Sequence, residues 1–350
     1  MVNRVGLSSR NCRIPNLQAP FASGPIALAD EHQALASLFG LESPVISTSN
    51  FGNGLINDTY LVETAPNDDF SNHRYILQRI NHGVFKNPHA LMANIERVCA
   101  HLAGIEEDRE QSARVLELLP SVDGPSFVHY PTSLTEPIGY WRMFHYVEDC
   151  VSHDTVATPE IAYEAARAFG RFQRQLDGMP GPRLYETIPG FHETPSRLAS
   201  LHAAIQEDPF DRARLCKEEI RFAIDRGHHA SRLLDLHREG FIPERITHND
   251  TKISNVLIDR RSGRSVCVVD LDTVMPGLSL YDFGDLVRTC VSSGPEDSTE
   301  ISTAFKAARN SSRPLQRVSS MRCTAFSLPT KSITSPSLAS CSPTRSASAS

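Results

Sequence analysis

These 350 residues contain no long apolar run. A membrane-crossing helix needs about 20 consecutive apolar residues, so none is expected. The opening stretch MVNRVGLSSRNCR lacks the apolar segment of a secretory signal. Eight cysteines, at positions 12, 99, 150, 216, 267, 290, 323 and 341, include no C-x-x-C pair. That spacing argues against a zinc ribbon or a disulfide framework and for a reducing, cytoplasmic setting. Acidic residues are absent from both ends. Residues 1–29 hold three arginines and no acid, and residues 301–350 hold seven Lys or Arg and no acid. The body between them carries 25 basic against 41 acidic residues, a net −16. So acidic a body is a poor partner for nucleic acid, whose phosphates need a basic face. A phosphate-bearing ligand would have to be neutralised by metal ions and a few placed cations.

What is present is a soluble globular composition, 40% hydrophobic and 22% charged. The length suffices for one bilobal domain or two ordinary ones. Residues 1–25 have no periodicity and are expected to be a disordered leader. From residue 27, ALADEHQALASLFG has helical spacing and ends on glycine. PVISTSNFGNGLINDTYLVET (44–64) reads as two strands around a glycine-containing turn, and RYILQRI (74–80) as a third. PHALMANIERVCAHLAGI (88–105) reads as an amphipathic helix, and RVLELLPS and YWRMFHYVE complete a small sheet. Helices are expected at 159–178, 195–206, 210–238 and 281–290. Strands come first and helices second, the order of an α+β protein with a β-rich N-lobe (26–148) and a larger helical C-lobe (149–302). Residues 303–350 carry 13 serines and no acid and are expected to be a disordered, low-complexity tail.

The chemistry concentrates in HNDTKISNVLIDRRSGRSVCVVDLD, residues 248–272. Asp250 and Asn255 are five apart and precede the apolar run VLI. A polar hairpin leads to VCVVD, which ends on Asp270. Antiparallel pairing of the two runs would bring Asn255 and Asp270 to one end, with Asp250 facing the same space. Oxygen ligands so arranged suit Mg²⁺, and one carboxylate stays free for acid–base work. This is the layout of a kinase catalytic loop, with Lys252 placed to reach a phosphate. Tyr281-Asp282-Phe283-Gly284 also spells D-F-G, but it lies 32 residues past Asp250 and follows the loop-like TVMPGLSL. The metal role therefore goes to Asp270, and Asp282 is expected to cap a helix or brace the catalytic loop. There is no A-P-E motif, no room for an activation loop and no V-A-I-K lysine. YILQRI offers Gln78 and Arg79 instead, which points to a small-molecule kinase. His228, His229 and His237 share no ligand spacing with Cys or carboxylate and read as a solvated helix face.

The chain resembles the aminoglycoside phosphotransferase/choline kinase superfamily, and within it the N-acetylhexosamine 1-kinase group. The matching stretches are GNGLINDTYLV, RYILQRIN, NIERV, AFGRFQ, FHETP, THNDTKISNVLID and VVDLDTVMPGLSLYDFGDLVR, in order over roughly residues 27–300. The resemblance implies a bilobal, protein-kinase-like fold and transfer from ATP to the anomeric hydroxyl of an N-acetylhexosamine. It implies Asp250 as base facing the sugar hydroxyl, Lys252 on the moving phosphate, Asn255 and Asp270 on Mg²⁺, and Asp272 as a further carboxylate near the metal. Gly52 and Gly54 would approach the ATP phosphates, Gln78 would stand in place of the ATP lysine, and Glu96 would pair with Arg79. Residues 142–148 would form the hinge that receives adenine. Leu55, Asn57 and His192 would line the acceptor site, Leu55 standing where the hexosamine kinases carry His. Beyond residue 303 the resemblance stops, and the expectation there is a truncated or frame-shifted end. Two alternatives stay open: another hydroxylated acceptor (aminoglycoside, choline or homoserine), or a nucleotide-binding protein impaired by loss of its pocket-closing segment.

Overall fold

Alternation of apolar and polar residues builds the first half into an antiparallel sheet with a helix on each face. The computed structural model describes residues 28–52, 54, 56–66, 73–105, 114–131 and 138–291. The leader 1–25, Leu55 and the tail 303–350 lie outside the described residues. The sheet contains β1 (Val45–Asn50), β2 (Asp58–Thr64), β3 (Arg74–Ile80), β4 (Leu118–Leu119), β5 (Phe127–Pro131) and β6 (Ile138–His145). Its order is β1-β2-β3-β6, and β6 carries both β4 and β5 on its far edge. The period of two sorts the side chains. Tyr75, Leu77, Trp141 and Met143 turn to one face, where Leu35 and Ala36 of α1 (Leu28–Ala36) pack. Ile76, Ile80 and Phe144 turn to the other, against Leu91, Ile95 and Val98 of α2 (Pro88–Ala103). α2 starts sharply because Asn87 caps it, its side chain accepting from Ala90 N at 3.1 Å, and Pro88 pre-sets the first turn.

The second half is mostly helical: β7 (Cys150–Val151), α3 (Pro159–Leu176), α4 (Thr194–Glu207), α5 (Lys217–Asp225), α6 (Arg232–Arg238), β8 (Arg245–Thr247), β9 (Val256–Asp259), β10 (Ser265–Val268), β11 (Met275–Gly277) and α7 (Ser279–Val291). α3 buries Ala165, Ala168 and Phe169 against Ile253, Val256, Ile258 and Leu286. Glu164 on α3 accepts from Ser265 N at 2.8 Å and Ser265 Oγ at 2.9 Å, stapling the helix to β10. Burial alone would push its carboxyl up. The bonds from Ser265 and the Arg167 guanidinium outweigh that and hold it below the usual range. Among the described residues no helix is long and apolar enough to cross a membrane.

The β-rich N-lobe and helical second half agree with the expected fold; one strand was missed and three local expectations are corrected. β5 (FVHYP) goes unread in the sequence, being short and ending on proline. Residues 210–238 are not one helix but α5 and α6 with two single 3₁₀ turns, the break falling near Gly227. The first helix stops at Ala36, short of Gly40. The supposed loop MPG is β11, paired with β8 through Met275↔Thr247.

Candidate active site

The β9–β10 hairpin places the chemistry. Its register pairs Val256 with Val268, and Val269 N donates to Asn255 O at 2.9 Å. Asn255 and Asp270 thus leave the hairpin at the same end. Asp259 holds the turn, its Oδ1 accepting from Ser262 N at 2.7 Å, with Gly263 at φ 67°. Asp270 itself sits in the left-handed region, φ 59° and ψ 62°, at the start of the 3₁₀ turn Leu271–Thr273. A non-glycine residue held there is strained, and the surrounding bonds must enforce it.

Asp250 meets both of its expected neighbours. Lys252 Nζ lies 3.0 Å from Asp250 Oδ2, and Asn255 Nδ2 donates to the same oxygen at 3.1 Å and to Asp250 O at 2.9 Å. Among the described residues nothing donates to Asp250 Oδ1. The carboxylate is thereby oriented, with one oxygen held and the other open. Behind it, Asp250 N donates to His248 Nδ1 at 3.3 Å, so His248 Nε2 carries the proton it gives to Val269 O at 3.0 Å.

A buried carboxylate fixes this loop. Asp282 is fully buried and accepts from His248 N at 3.0 Å, Asn249 N at 2.7 Å and Gln173 Nε2 at 2.6 Å. Thr251 Oγ1 donates to Asp282 O at 2.6 Å. Burial pushes the Asp282 carboxyl up, against the pull of His248 and the three N–H donors. The D-F-G look-alike therefore braces the loop of residues 248–251. Asn249, left-handed at φ 65°, is locked by its bond to Asp282 and by Nδ2 donating to Thr273 O at 2.9 Å.

The oxygen donors expected for Mg²⁺ are free to bind one. Among the described residues, neither Asn255 Oδ1 nor either carboxylate oxygen of Asp270 accepts a hydrogen bond, and the Asp270 side chain is exposed. Although solvent reaches this residue, the protein packed around its carboxyl and the negative charges of Asp272 and Asp250 push it up to about 6. Such crowding of negative charge suits a cation. Among the described residues no group of three or more His, Cys, Asp or Glu could hold a metal by itself. The fit is to Mg²⁺, which is bound by one or two protein oxygens together with substrate phosphates.

On the N-lobe side the structure rearranges several expectations. Gly52 takes φ 75° in the turn between β1 and β2, a conformation glycine adopts without cost. Gly54 lies in the same turn. Gln78 is turned into the protein, its Oε1 accepting from Arg142 Nε at 3.1 Å and Nη2 at 2.9 Å. Glu96 does not pair with Arg79: it is exposed and accepts from Ser126 Oγ, while Arg79 lies 3.8 Å from Asp58 across the β2–β3 pair. The alternation of β3 explains this: Arg79 shares the α1-facing side with Tyr75 and Leu77, whereas α2 covers the opposite face. Asp272 is no free metal carboxylate. Its Oδ1 forms an ion pair with Arg142 Nη1 at 2.5 Å, and its Oδ2 accepts from Asn57 Nδ2 at 2.6 Å. Asn57 consequently points at Asp272, with its Oδ1 accepting from Asn81 N at 3.0 Å. Arg142, expected to open the hinge, lies instead inside β6 (Ile138–His145) and is buried there; an arginine inside YWRMFHY was the signal, because a buried guanidinium demands a carboxylate.

His192 lies on the far side of the catalytic loop. Its Nε2 is 3.0 Å from Asn249 O and its ring is 5.0 Å from that of Tyr281. Phe191, His192, Asn249, Met275, Leu278 and Tyr281 line a cavity of about 220 Å³, with Glu193 beside it.

Comparison with known proteins follows the same lines. The family model described as "APH: Phosphotransferase enzyme family" matches residues 47–315. Among solved structures the chain is similar to a microcompartment-associated aminopropanol kinase, at 14% identity and TM-score 0.45, covering 84% of this chain and 94% of that one. A spectinomycin phosphotransferase in complex with ADP and spectinomycin matches at 12% identity and TM-score 0.46, covering 86% and 94%. A choline kinase from Streptococcus pneumoniae matches at 16% identity and TM-score 0.43, covering 79% and 84%.

Proposed function

The chain belongs to the phosphotransferase enzyme family, and from that premise we propose that it moves the γ-phosphoryl of ATP to a hydroxyl of a small molecule, the anomeric hydroxyl of an N-acetylhexosamine. The observation that carries this reading is Asp250, with one carboxylate oxygen held by Lys252 and Asn255 and the other open. The open oxygen would orient and deprotonate the acceptor hydroxyl, and Lys252 would meet the charge on the moving phosphoryl group. Asn255 and Asp270 would hold Mg²⁺, which supplies neutralisation of the phosphate charge when bound. The Gly52–Gly54 turn would let backbone N–H groups approach those phosphates. Little covalent chemistry is asked of the protein; positioning does most of the work.

Replacing Asp250 with Asn keeps the shape and removes the base. Turnover should fall by about 10³-fold, within the range for a lost general base, with ADP binding retained. An Asp250→Asn protein that turns over at the original rate would refute the assignment.

A second reading takes a hydroxylated amine, such as an aminoglycoside, choline or homoserine, as acceptor. Glu193 with the rings of Phe191, His192 and Tyr281 at the cavity supports it, because carboxylate and aromatic faces both attract a cation. Comparing kcat/KM for neutral hexosamines against amine alcohols separates the two.

A further inference from the structure

Arg142 is the most deeply buried charged group of the N-lobe sheet, 1% exposed, and its partner Asp272 is 2% exposed. It projects from the middle of β6 on the face covered by α2, opposite Gln78 in the β3–β6 register. Nε and Nη2 donate to Gln78 Oε1, while Nη1 forms an ion pair with Asp272 Oδ1 at 2.5 Å and reaches Met92 Sδ at 4.0 Å. Gln78 Nε2 in turn donates to Thr59 Oγ1 at 3.1 Å. Asp272 Oδ2 accepts from Asn57 at 2.6 Å, and Asn57 accepts from Asn81 N at 3.0 Å. The chain Thr59–Gln78–Arg142–Asp272–Asn57–Asn81 is therefore continuous from the strand after the glycine turn to the loop holding Asp270.

Taking a guanidinium and a carboxylate out of water is costly, and such a pair is weak evidence for stability alone. Its geometry points elsewhere. Asp272 is the middle residue of the 3₁₀ turn that Asp270 opens in its left-handed conformation. That conformation persists only where neighbouring structure enforces it. Other hydrogen bonds hold Val269 before it, to Asn255 O at 2.9 Å and His248 Nε2 at 3.0 Å, and Thr273 and Val274 after it, to His248 O at 2.7 Å and Asn94 Nδ2 at 3.1 Å, so Asp272 is the side-chain tie between them. We propose that Arg142 is a positioning residue for Asp270: by gripping Asp272 and Gln78 together it registers the metal-binding turn against the nucleotide-side strands. The inference rests on the phosphotransferase reading of the site. It gives the pair a task that an ion pair between Arg79 and Glu96 does not perform in this chain.

Two charge-neutral changes test it. Arg142→Lys keeps the cation but loses the planar fork that spans both partners. The double change Arg142→Met with Asp272→Asn removes both charges and leaves no buried ion alone. Neither alters net charge, so long-range attraction for a cation is unchanged. Mn²⁺ affinity in the presence of ADP is measured by electron paramagnetic resonance, beside melting curves and metal-free ADP binding. Expected are cooperative melting, metal-free ADP affinity within twofold of the original, and at least a tenfold loss of Mn²⁺ affinity in both variants. A merely structural pair would move the melting temperature and leave Mn²⁺ binding of the folded protein intact. Mn²⁺ affinity within twofold of the original in Arg142→Lys overturns the role of Arg142, whether or not the double variant folds. Failure of the unmodified protein to bind Mn²⁺ with ADP overturns the phosphotransferase reading as well.

Discussion

Asp282 accepts hydrogen bonds from His248 N, Asn249 N and Gln173 Nε2 in a site with no solvent access. Replacing it with Ala would strand three buried donors, each costing about 1–3 kcal/mol. The variant should lose about 3 kcal/mol or more of stability in urea unfolding; a loss below about 1 kcal/mol would show that the loop does not depend on it. This bracing role was legible because the spacing of Asp282 from Asp250 is too long for a metal ligand, which left a structural task for a buried acid. The meeting of Asp250, Lys252 and Asn255 was legible for a related reason: six residues of local sequence carry all three. Arg142 and Asp272 were not, because their meeting joins strand β6 to a turn 130 residues later, and no local pattern encodes it. The Arg79–Glu96 expectation failed on strand alternation. Arg79 turns to the α1 side of the sheet with Tyr75 and Leu77, while Glu96 belongs to α2 on the other side.

At the scale of elements, α3 is secured to the β9–β10 hairpin by apolar packing and by Glu164. Its carboxyl is held below the usual range, so its stabilising bonds are complete above the unfolded value near 4.3. They are lost as pH falls through that value toward the folded one. Glu164→Gln should therefore destabilise the protein by about 2 kcal/mol at pH 7, and the difference from the original should shrink as pH is lowered below about 4. Urea midpoints at a series of pH values check this; a difference independent of pH would contradict it. Secondary structure was readable wherever period and boundary signals agreed. α2 and α3 each open on proline and carry an apolar stripe. α5 and α6 were merged because the stretch between them is rich in helix-forming residues and only Gly227 interrupts it. β11 was hidden because proline and glycine ordinarily mark loops, yet a short pairing with β8 tolerates both.

Over the whole molecule, packing is uneven. α3 buries ten of its residues, whereas α4, α5 and α6 bury none, and Phe210, Leu215, Phe222 and Phe241 are exposed. Elements with so little buried apolar surface open at low free-energy cost. Amide hydrogen exchange should be markedly faster across residues 194–238 than across 159–176, and equal protection in the two regions would contradict this picture. The loop of residues 248–255 rests on the well-packed part, between α3, α7 and the hairpin, so its geometry is insulated from those helices. That arrangement makes phosphoryl transfer the claim most open to direct test. The decisive measurement incubates the full chain with γ-labelled ATP, Mg²⁺ and single acceptors, N-acetylhexosamines beside amine alcohols. The account predicts label passing to a hexosamine as an acid-labile sugar 1-phosphate, and no transfer by Asp250→Asn. Absence of label on every acceptor, or equal transfer by the variant, would contradict it.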